Sequence, residues 1–301
     1  MLSPMHSGSE SAYKLVRLSN GTNAVHSVAE RETMHPVLGP MAEAETLYLT
    51  GLRLPERVSR AVAPFVVWDV GLGAAANVLA LLRALGSSTG RLRIVSFDRT
   101  TAPLAFALEH CGELGYFTGF ESQLETLLRN QSVRFSHRRL QVEWTSELGD
   151  FPALLASRPG SSRVRLPAPD AILFDPFSPA KNPSMWTAPL FADLFQWLQP
   201  DRPCALTTYS RSTSVRVALL LAGLYVGTGR GVGSKEETTV AANACSLLEA
   251  PLDLRWLRRA RRSHAAEPLR EARYCQAPLS PETWFQLQRH PQFLPNLVSP
   301  G

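Results

Sequence analysis

The chain is dominated by short apolar runs that alternate with amphipathic segments of helical length. Each run is too short for a helix, and several end in an acidic residue that a turn follows. Strands buried on both faces of a parallel sheet have this pattern, and helices between them cover the sheet. The pattern predicts seven strands, at residues 65–70, 92–98, 140–147, 170–177, 204–210, 224–228 and 238–244. We therefore expect an α/β fold with a mostly parallel seven-stranded sheet and helices on both faces.

This pattern occupies residues 61–248, which we expect to form the core domain. Residues 1–60 are predicted to be an N-terminal extension that packs on the core, with a polar leader up to residue 30 and a helix at 41–49. Residues 249–301 are predicted to form a basic helical extension, with the helix at 254–274, and a proline-rich tail.

Composition excludes several classes of protein. Hydrophobic residues make up 45% of the 301 residues and charged residues 19%, which favours a globular chain over a disordered one. The sequence has no apolar run near the ~18 residues that cross a bilayer, and no secretion signal at its start. Its four cysteines lie far apart, without zinc-ligand spacing. We expect a soluble, cytoplasmic protein with thiols that bind no metal.

The basic residues are mostly arginine. Of 31 Lys plus Arg only three are Lys, which leaves 28 Arg and a net charge of +5. The planar guanidinium pairs with two phosphate oxygens at once, so this bias is compatible with a nucleic-acid partner. Five arginines fall within eight residues of the basic segment: Arg255, Arg258, Arg259, Arg261 and Arg262. They form either the solvated face of a helix that packs through Leu254, Trp256 and Leu257, or a phosphate-binding surface.

Three acids, Asp69, Asp98 and Asp175, lie at the predicted carboxyl ends of strands. Ligands of open α/β sheets bind at that edge. Gly71 and Gly73 follow the first acid, in the string DVGLGAAAN, and would let the backbone approach a ligand or simply make a tight turn. Asp98 is spaced to accept both hydroxyls of a ribose, which predicts a ligand that contains adenosine. A phosphate-binding P-loop and a serine-hydrolase elbow are absent from the sequence.

The string FDPFSPAKNPSMW follows the fourth predicted strand and is too ordered for a generic turn. Together with four other strings, it resembles the methyltransferase domain of MnmC-type tRNA modification enzymes. The four strings are DVGLGAAANVLALL, RIVSFD, ELGDFPALL and GRGVGSKEE. The resemblance covers roughly residues 40–245. It implies a Rossmann-like class I fold that uses S-adenosylmethionine to methylate the 5-aminomethyl group of (2-thio)uridine at the tRNA wobble position. It also implies a stand-alone methyltransferase, without the FAD oxidoreductase domain of many members, that a separate enzyme supplies with aminomethyl-tRNA.

The resemblance also implies roles for particular residues. The methionine part of the cofactor would contact the strand end and turn that contain Asp69, Gly71, Gly73 and Asn77. The ribose would contact Asp98, and the adenine Gly149 and Asp150. Asp175 would be the catalytic residue, beside the sulfonium and the incoming amine of the anticodon stem-loop. The substrate side would be shaped by Lys181, Asn182, Pro183 and Trp186. Phe177 and Lys235 are further substrate-binding candidates, because they lie in or just after loops expected at the ligand edge.

The chain departs from the family pattern in three places. Pro176 follows Asp175 where a glycine is usual, and Ala75 stands where the turn commonly has a further glycine. The aromatic and acidic segment before the first strand is matched only loosely, by Glu43, Glu45 and Tyr48.

An amine must be neutral to attack a sulfonium methyl group, so we expect Asp175 to accept a hydrogen bond or a proton from it. Arginines near the predicted ligand edge, Arg211, Arg216 and Arg230, are further candidates for contact with RNA. The sequence leaves three alternatives open: an amine methyltransferase for a small molecule or protein, an RNA-binding protein without catalysis, and a nicotinamide-dependent oxidoreductase. The last is disfavoured because the sequence shows neither a proton relay nor a nicotinamide-binding motif; its first turn also has Ala76 in place of the third glycine of a dinucleotide fingerprint, a position where alanine is sometimes tolerated.

Overall fold

The computed structural model describes residues 11–35, 38–157, 166–231 and 237–294. Its strands form an antiparallel sheet of three and a mixed sheet of eight. The strands are β1 Tyr13–Arg17, β2 Asn23–Ser27, β3 Glu32–Thr33, β4 Phe65–Val70, β5 Gly90–Asp98, β6 Ser132–His137, β7 Leu140–Leu148, β8 Ala171–Phe174, β9 Ala205–Thr208, β10 Tyr225–Arg230 and β11 Glu237–Ala242.

Eleven α-helices are formed by the described residues. They are α1 Pro40–Ala44, α2 Leu54–Arg60, α3 Ala76–Ala84, α4 Ala102–Glu109, α5 Cys111–Leu114, α6 Glu121–Asn130, α7 Phe151–Ala156, α8 Ala188–Gln196, α9 Thr213–Leu221, α10 Leu254–Arg261 and α11 Pro281–Gln288. A π-helical turn, Glu45–Thr50, continues α1, and a 3-10 turn, Pro183–Trp186, precedes α8.

The large sheet has the order β10-β11-β9-β8-β4-β5-β7-β6. Its five central strands, from β9 to β7, are parallel, and β6, β11 and β10 are antiparallel to their neighbours. Every residue of β4 is buried, because one hydrophobic cluster packs on each face of the sheet. The chain crosses from one side of β4 to the other between β7 and β8. The carboxyl end of β4 is therefore the topological switch point where ligands of such sheets bind.

The expected Rossmann-like sheet is confirmed, but its number of strands was wrong. The eighth strand is β6, an edge strand that forms a hairpin with β7. It alternates between exposed and partly buried residues, with Val133 alone fully buried, so it lacks the continuous apolar run of the central strands. Arg138 turns the hairpin at a left-handed φ of 54°, where a glycine or asparagine would have signalled the turn more clearly.

The N-terminal residues are more structured than the polar leader that the sequence predicts. β1, β2 and β3 form an antiparallel sheet that packs beside α4 and α5. The Tyr13 and Phe106 rings lie 6.0 Å apart, and the Asn23 side-chain amide donates to the Glu113 carbonyl at 2.8 Å. These contacts hold β3 at the carboxyl edge of the large sheet.

The basic helix is shorter than predicted, because α10 ends at Arg261 and turns follow it. The Glu267 amide donates to the Ala277 carbonyl, and the Leu269 carbonyl accepts from the Ala188 amide at the start of α8. These tertiary contacts replace the helical hydrogen bonds, and Pro268 could not have continued the helix. Trp256 and Leu257 are buried as expected, whereas Leu254 is exposed.

Candidate active site

A cavity of about 370 Å³ opens at the carboxyl end of β4. It is lined by the turn after β4, the ends of β5, β7 and β8, and residues between Tyr13 and Leu47. A second concavity, between α6 and β6, is lined by Ser122, Thr126, Arg134 and Glu143, and its arginine and glutamate are paired with each other at 2.7 Å. Several of the predicted site residues therefore line the cavity at the switch point, and none of the predicted residues is among those that line the second concavity.

The turn after β4 is held by backbone contacts that require glycine. Gly71 has a φ of +103°, and a Cβ on it would lie 2.7 Å from the carbonyl oxygen of Asp175. The Gly73 amide donates to Asp98 Oδ2 at 2.9 Å. Ala75, which replaces the usual glycine, adopts a left-handed φ of 60° at the start of α3. The position thus has a glycine-like conformation, which explains why glycine is the common residue there.

Asp98 lines the cavity at the end of β5. Burial raises the pKa of its carboxyl group, and hydrogen bonds from the backbone amides of Gly73, Arg99 and Thr100 oppose that rise. The carboxylate is thereby held at the rim of the glycine turn. This is where a ribose must lie if the turn contacts the remainder of the cofactor.

Asp69 does not line the cavity but lies beneath it, with 1% of its surface exposed. Its Oδ2 accepts from the Ser96 hydroxyl at 2.7 Å, and Oδ1 has no hydrogen-bond partner among the described residues. Burial raises the pKa of Asp69 to about 8, against the Ser96 hydrogen bond and with help from the charges of Asp175 and Asp98. A cation bound in the cavity above would favour the ionised form of this group.

The raised pKa of Asp69 predicts a pH dependence of stability. The unfolded chain releases this proton near pH 3.8 and the folded chain near pH 8, so the folded state binds more protons between these values. The free energy of unfolding therefore falls as pH rises from about 4 to about 8, by on the order of a few kcal/mol. We expect Asp69→Asn to flatten this dependence in urea denaturation at pH 5 to 8, with Asp193→Asn as a control. An equally steep fall in both variants would contradict the prediction.

Asp175 follows β8 and faces the cavity. Its backbone amide donates to the Val70 carbonyl at 2.9 Å, and the Asn77 side-chain amide donates to Oδ2 at 2.9 Å. The next residue is fixed by Tyr209, whose hydroxyl donates to the Pro176 carbonyl at 3.0 Å. Burial, and then the charge of Asp175, raise the pKa of Tyr209 well above its usual value. The phenol is therefore a neutral hydrogen-bond donor that supports the loop.

Only some of the other predicted residues line the cavity. Gly149, Phe177 and Asn182 line the cavity. Asn77, as described, contacts the Asp175 side chain from below. Asp150 caps α7, where it accepts from the Ala153 amide, and it pairs with Arg99 at 3.0 Å.

Three predicted substrate residues do not line the cavity. Trp186 is buried and donates its indole N–H to the Phe177 carbonyl at 2.8 Å, so it supports the loop from inside. Lys181 is exposed outside the cavity, and Pro183 begins the 3-10 turn. Lys235 lies outside the described residues. Their roles toward the substrate stay predictions.

Arg216, an expected RNA contact, is buried in the protein. Its guanidinium donates to the Thr239 hydroxyl, the Thr238 carbonyl and the Glu237 carboxylate. It therefore joins α9 to β11 and is not available to RNA.

Sequence reasoning missed the residues that close the cavity from the N-terminal side. Glu32 accepts from the amide and hydroxyl of Ser178, both at 3.2 Å, and His35 Nε2 lies 3.7 Å from Asp175 Oδ2. Tyr13 and Glu30 also line the cavity, as does Glu43, which belongs to the segment that matches the family pattern only loosely. These residues precede β4 by at least twenty positions and lie in short strands, a short helix and turns, which are too short for a periodic pattern to mark them. The cluster of acids around the string ERETMH was the available signal.

These residues fit a cationic, adenosine-containing cofactor. Gly71 and Gly73 leave room for it, Asp98 is placed for ribose hydroxyls, and the carboxylates of Asp69 and Asp175 would offset a positive charge. The described residues contain no group of three or more His, Cys, Asp or Glu that could hold a metal ion. No helix in the described part of the chain is both long and apolar enough to cross a membrane.

Comparisons with known proteins point to one class of enzyme. Residues 127–244 match the family model of an S-adenosyl-L-methionine-dependent methyltransferase. The tRNA 5-methylaminomethyl-2-thiouridine biosynthesis bifunctional protein MnmC of Aeromonas hydrophila is 29% identical over 217 residues, 68% of this chain and 31% of its own. The protein of that name from Ralstonia nicotianae is 31% identical over 222 residues, 70% and 32% of the two chains. The chain thus spans about a third of the length of these curated relatives.

Solved structures share the fold. The crystal structure of MNMC2 from Aquifex aeolicus superposes with a TM-score of 0.66 at 23% identity, over 93% of this chain and 86% of that one. A probable spermidine synthase from Corynebacterium glutamicum has a TM-score of 0.50 at 12% identity, over 92% and 100%. The fold and site define a Rossmann-like class I methyltransferase whose cofactor is S-adenosylmethionine. Within that class the chain is a relative of the methyltransferase part of the MnmC proteins, and the resemblance seen in its motifs is confirmed.

Proposed function

We propose that this enzyme methylates the 5-aminomethyl group of (2-thio)uridine at the tRNA wobble position and gives the 5-methylaminomethyl form. The placement of Asp175 carries the proposal, because it lines the same cavity as the glycine turn and Asn182, and the Asn77 amide holds its carboxylate there. The similarity to MnmC proteins supports the choice of tRNA. A separate enzyme would supply the aminomethyl group.

The residues of this chain have three tasks in that reaction. When bound, S-adenosylmethionine supplies an electrophilic methyl group. Gly71, Gly73 and Asp98 would hold it, and Gly149 would border its adenine. Asp175 would accept a hydrogen bond from the amine and aim the nitrogen lone pair at the methyl group. Asn77 keeps the carboxylate in place through the 2.9 Å hydrogen bond to Oδ2.

A methylation assay on defined tRNA tests this function. Labelled S-adenosylmethionine is incubated with the protein and with tRNA that carries the 5-aminomethyl group, and the nucleosides are analysed by mass spectrometry. We expect conversion of the aminomethyl nucleoside to the methylaminomethyl form, and no transfer to tRNA without that group. Transfer to small amines or proteins alone would favour the broader amine methyltransferase. Cofactor binding without transfer to any amine would favour an RNA-binding protein on this fold.

The arginines of α10 provide a surface for the tRNA backbone. Arg258 and Arg259 are exposed on the helix whose Trp256 and Leu257 are buried. Burial lowers the pKa of Arg216, and the charges of Arg259 and Arg211 lower it further. Arg259 of the basic helix and Arg211 of the loop after β9 are thus both near the Arg216 guanidinium, and both are exposed.

We expect the tRNA affinity to fall with added salt and to weaken when Arg258 and Arg259 are both replaced by Glu. Loss of two phosphate contacts should lower the slope of log affinity against log salt by about 2. Filter binding at salt concentrations between about 50 and 200 mM would measure this slope, because phosphate contacts change the affinity strongly over that range. Arg129→Glu, on the exposed side of α6, is the control. Unchanged binding at every salt concentration would remove α10 from the tRNA surface.

A further inference from the structure

The imidazole of His35 lies beside the proposed catalytic carboxylate. His35 Nε2 is 3.7 Å from Asp175 Oδ2, with the two side chains 12% and 17% exposed. Both line the cavity, and Oδ2 is also the oxygen that Asn77 contacts. One carboxylate oxygen therefore lies between a fixed amide donor and a group that can accept a proton.

The segment that carries His35 is fixed from several directions. The Met34 amide donates to the Val25 carbonyl at 2.9 Å, and the Met34 sulfur lies 3.3 Å from the position of a Cβ on Gly73. Glu32 is tied to Ser178, three residues beyond Asp175. His35 itself has a left-handed φ of 53°, which costs energy for a residue with a side chain. A strained residue held this firmly beside a reactive carboxylate is a candidate for function.

The cavity lining carries an excess of acids near this imidazole. The other titratable side chains that line the cavity are Tyr13, Glu30, Glu32, Glu43, Asp98, Arg99 and Tyr209. With Asp175 there are five acids and one base with a permanent positive charge among the described lining residues. An aminomethyl group that enters as an ammonium is attracted to such a cavity, where the Asp175 carboxylate and the His35 ring lie side by side.

We propose that His35 receives the proton of the attacking amine by way of Asp175, an inference that rests on the proposed methylation of an aminomethyl group. The ammonium N–H bond breaks and leaves its electron pair on nitrogen, while an N–H bond forms at Nε2. The nitrogen lone pair then bonds to the methyl carbon as the carbon–sulfur bond breaks toward sulfur. His35 acts on the amine through Asp175 and is a positioning residue.

The pH profile of methyl transfer tests this role. His35→Gln keeps a polar side chain next to Asp175 but cannot store a proton at neutral pH. We expect its single-turnover rate, with saturating cofactor and aminomethyl-tRNA, to fall about 100-fold at pH 7. The deficit should shrink to about fivefold or less at pH 9.5, where more of the amine is already neutral. His137→Gln is the matched control, because this histidine ends β6, contacts the Phe120 ring and does not line the cavity.

Two outcomes of this assay would overturn the proposal. The first is a His35→Gln rate close to that of the wild type. The second is a rate deficit of the same size at every pH, which would mean that His35 only supports the structure of the site. A second measurement does not depend on catalysis. Nitrogen NMR of the His35 ring should show a changed tautomer and shift in Asp175→Asn, and an unchanged spectrum would contradict the pairing. Failure of the wild type to methylate aminomethyl-tRNA contradicts the proposed function instead, and the spectrum still decides whether the pair exists.

Discussion

Asp175→Asn is expected to lower the single-turnover rate of methyl transfer by about 10²–10⁴-fold, the usual contribution of a positioned acid or base. The amide can still accept from Asn77, so the loop and the sheet edge should keep their structure. What the variant loses is the negative charge that would attract the amine proton and orient the lone pair. Rapid-quench measurement with saturating S-adenosylmethionine isolates this step from binding.

Asp201→Asn provides a control, because this aspartate is exposed in the turn before β9. Calorimetric titration with the cofactor should give comparable affinities for the two variants, within about fivefold, since the charge of Asp98 and the glycine turn remain. A rate for Asp175→Asn within about threefold of the wild type would show that the carboxylate takes no part in the chemical step. The amine would then have to lose its proton without this residue.

The central strands could be predicted because burial dictates their residues. Every residue of β4 and β8 is buried, as are most residues of β5, so these strands contain continuous apolar runs, whereas β7 alternates between buried and more exposed residues. The same topology places Asp98 and Asp175 at one edge, which is why two cavity residues could be identified from spacing alone. β6 and the N-terminal strands are half exposed, so their residues carry only a weak signal.

The rest of the site depends on tertiary packing that no local pattern reports. Trp186 belongs to the motif that predicted the substrate side, but its indole points inward to the Phe177 carbonyl. His35 is brought to Asp175 across 140 positions of sequence, by the N-terminal sheet and the Glu32 hydrogen bonds. The alternation of strands and helices predicts which residues lie at the carboxyl edge of the sheet. The direction of each side chain there depends on contacts with residues from distant segments of the chain.

Gly71→Ala is expected to have the largest structural effect of any substitution in the turn. Its Cβ would meet the Asp175 carbonyl oxygen at 2.7 Å and the carbonyl carbon at 3.1 Å, and both atoms belong to the backbone. The φ of +103° is also one that alanine rarely adopts. Either the turn or the Asp175 loop must move, so we expect the free energy of unfolding to fall by about 2–4 kcal/mol. Urea denaturation at a single pH measures it.

The same displacement should weaken the cofactor site, because the Gly71 and Leu72 amides donate to the Phe97 carbonyl and so join the turn to the end of β5. We expect the affinity for S-adenosylmethionine to fall at least tenfold, about 1.4 kcal/mol, in calorimetry on the folded variant. Gly112→Ala is the matched control, since this residue lies in α5 with open space around its Cβ, and alanine favours a helix. Wild-type stability and affinity in Gly71→Ala would mean that the close approach to Asp175 is not needed, and that the glycine turn and the catalytic loop are independent.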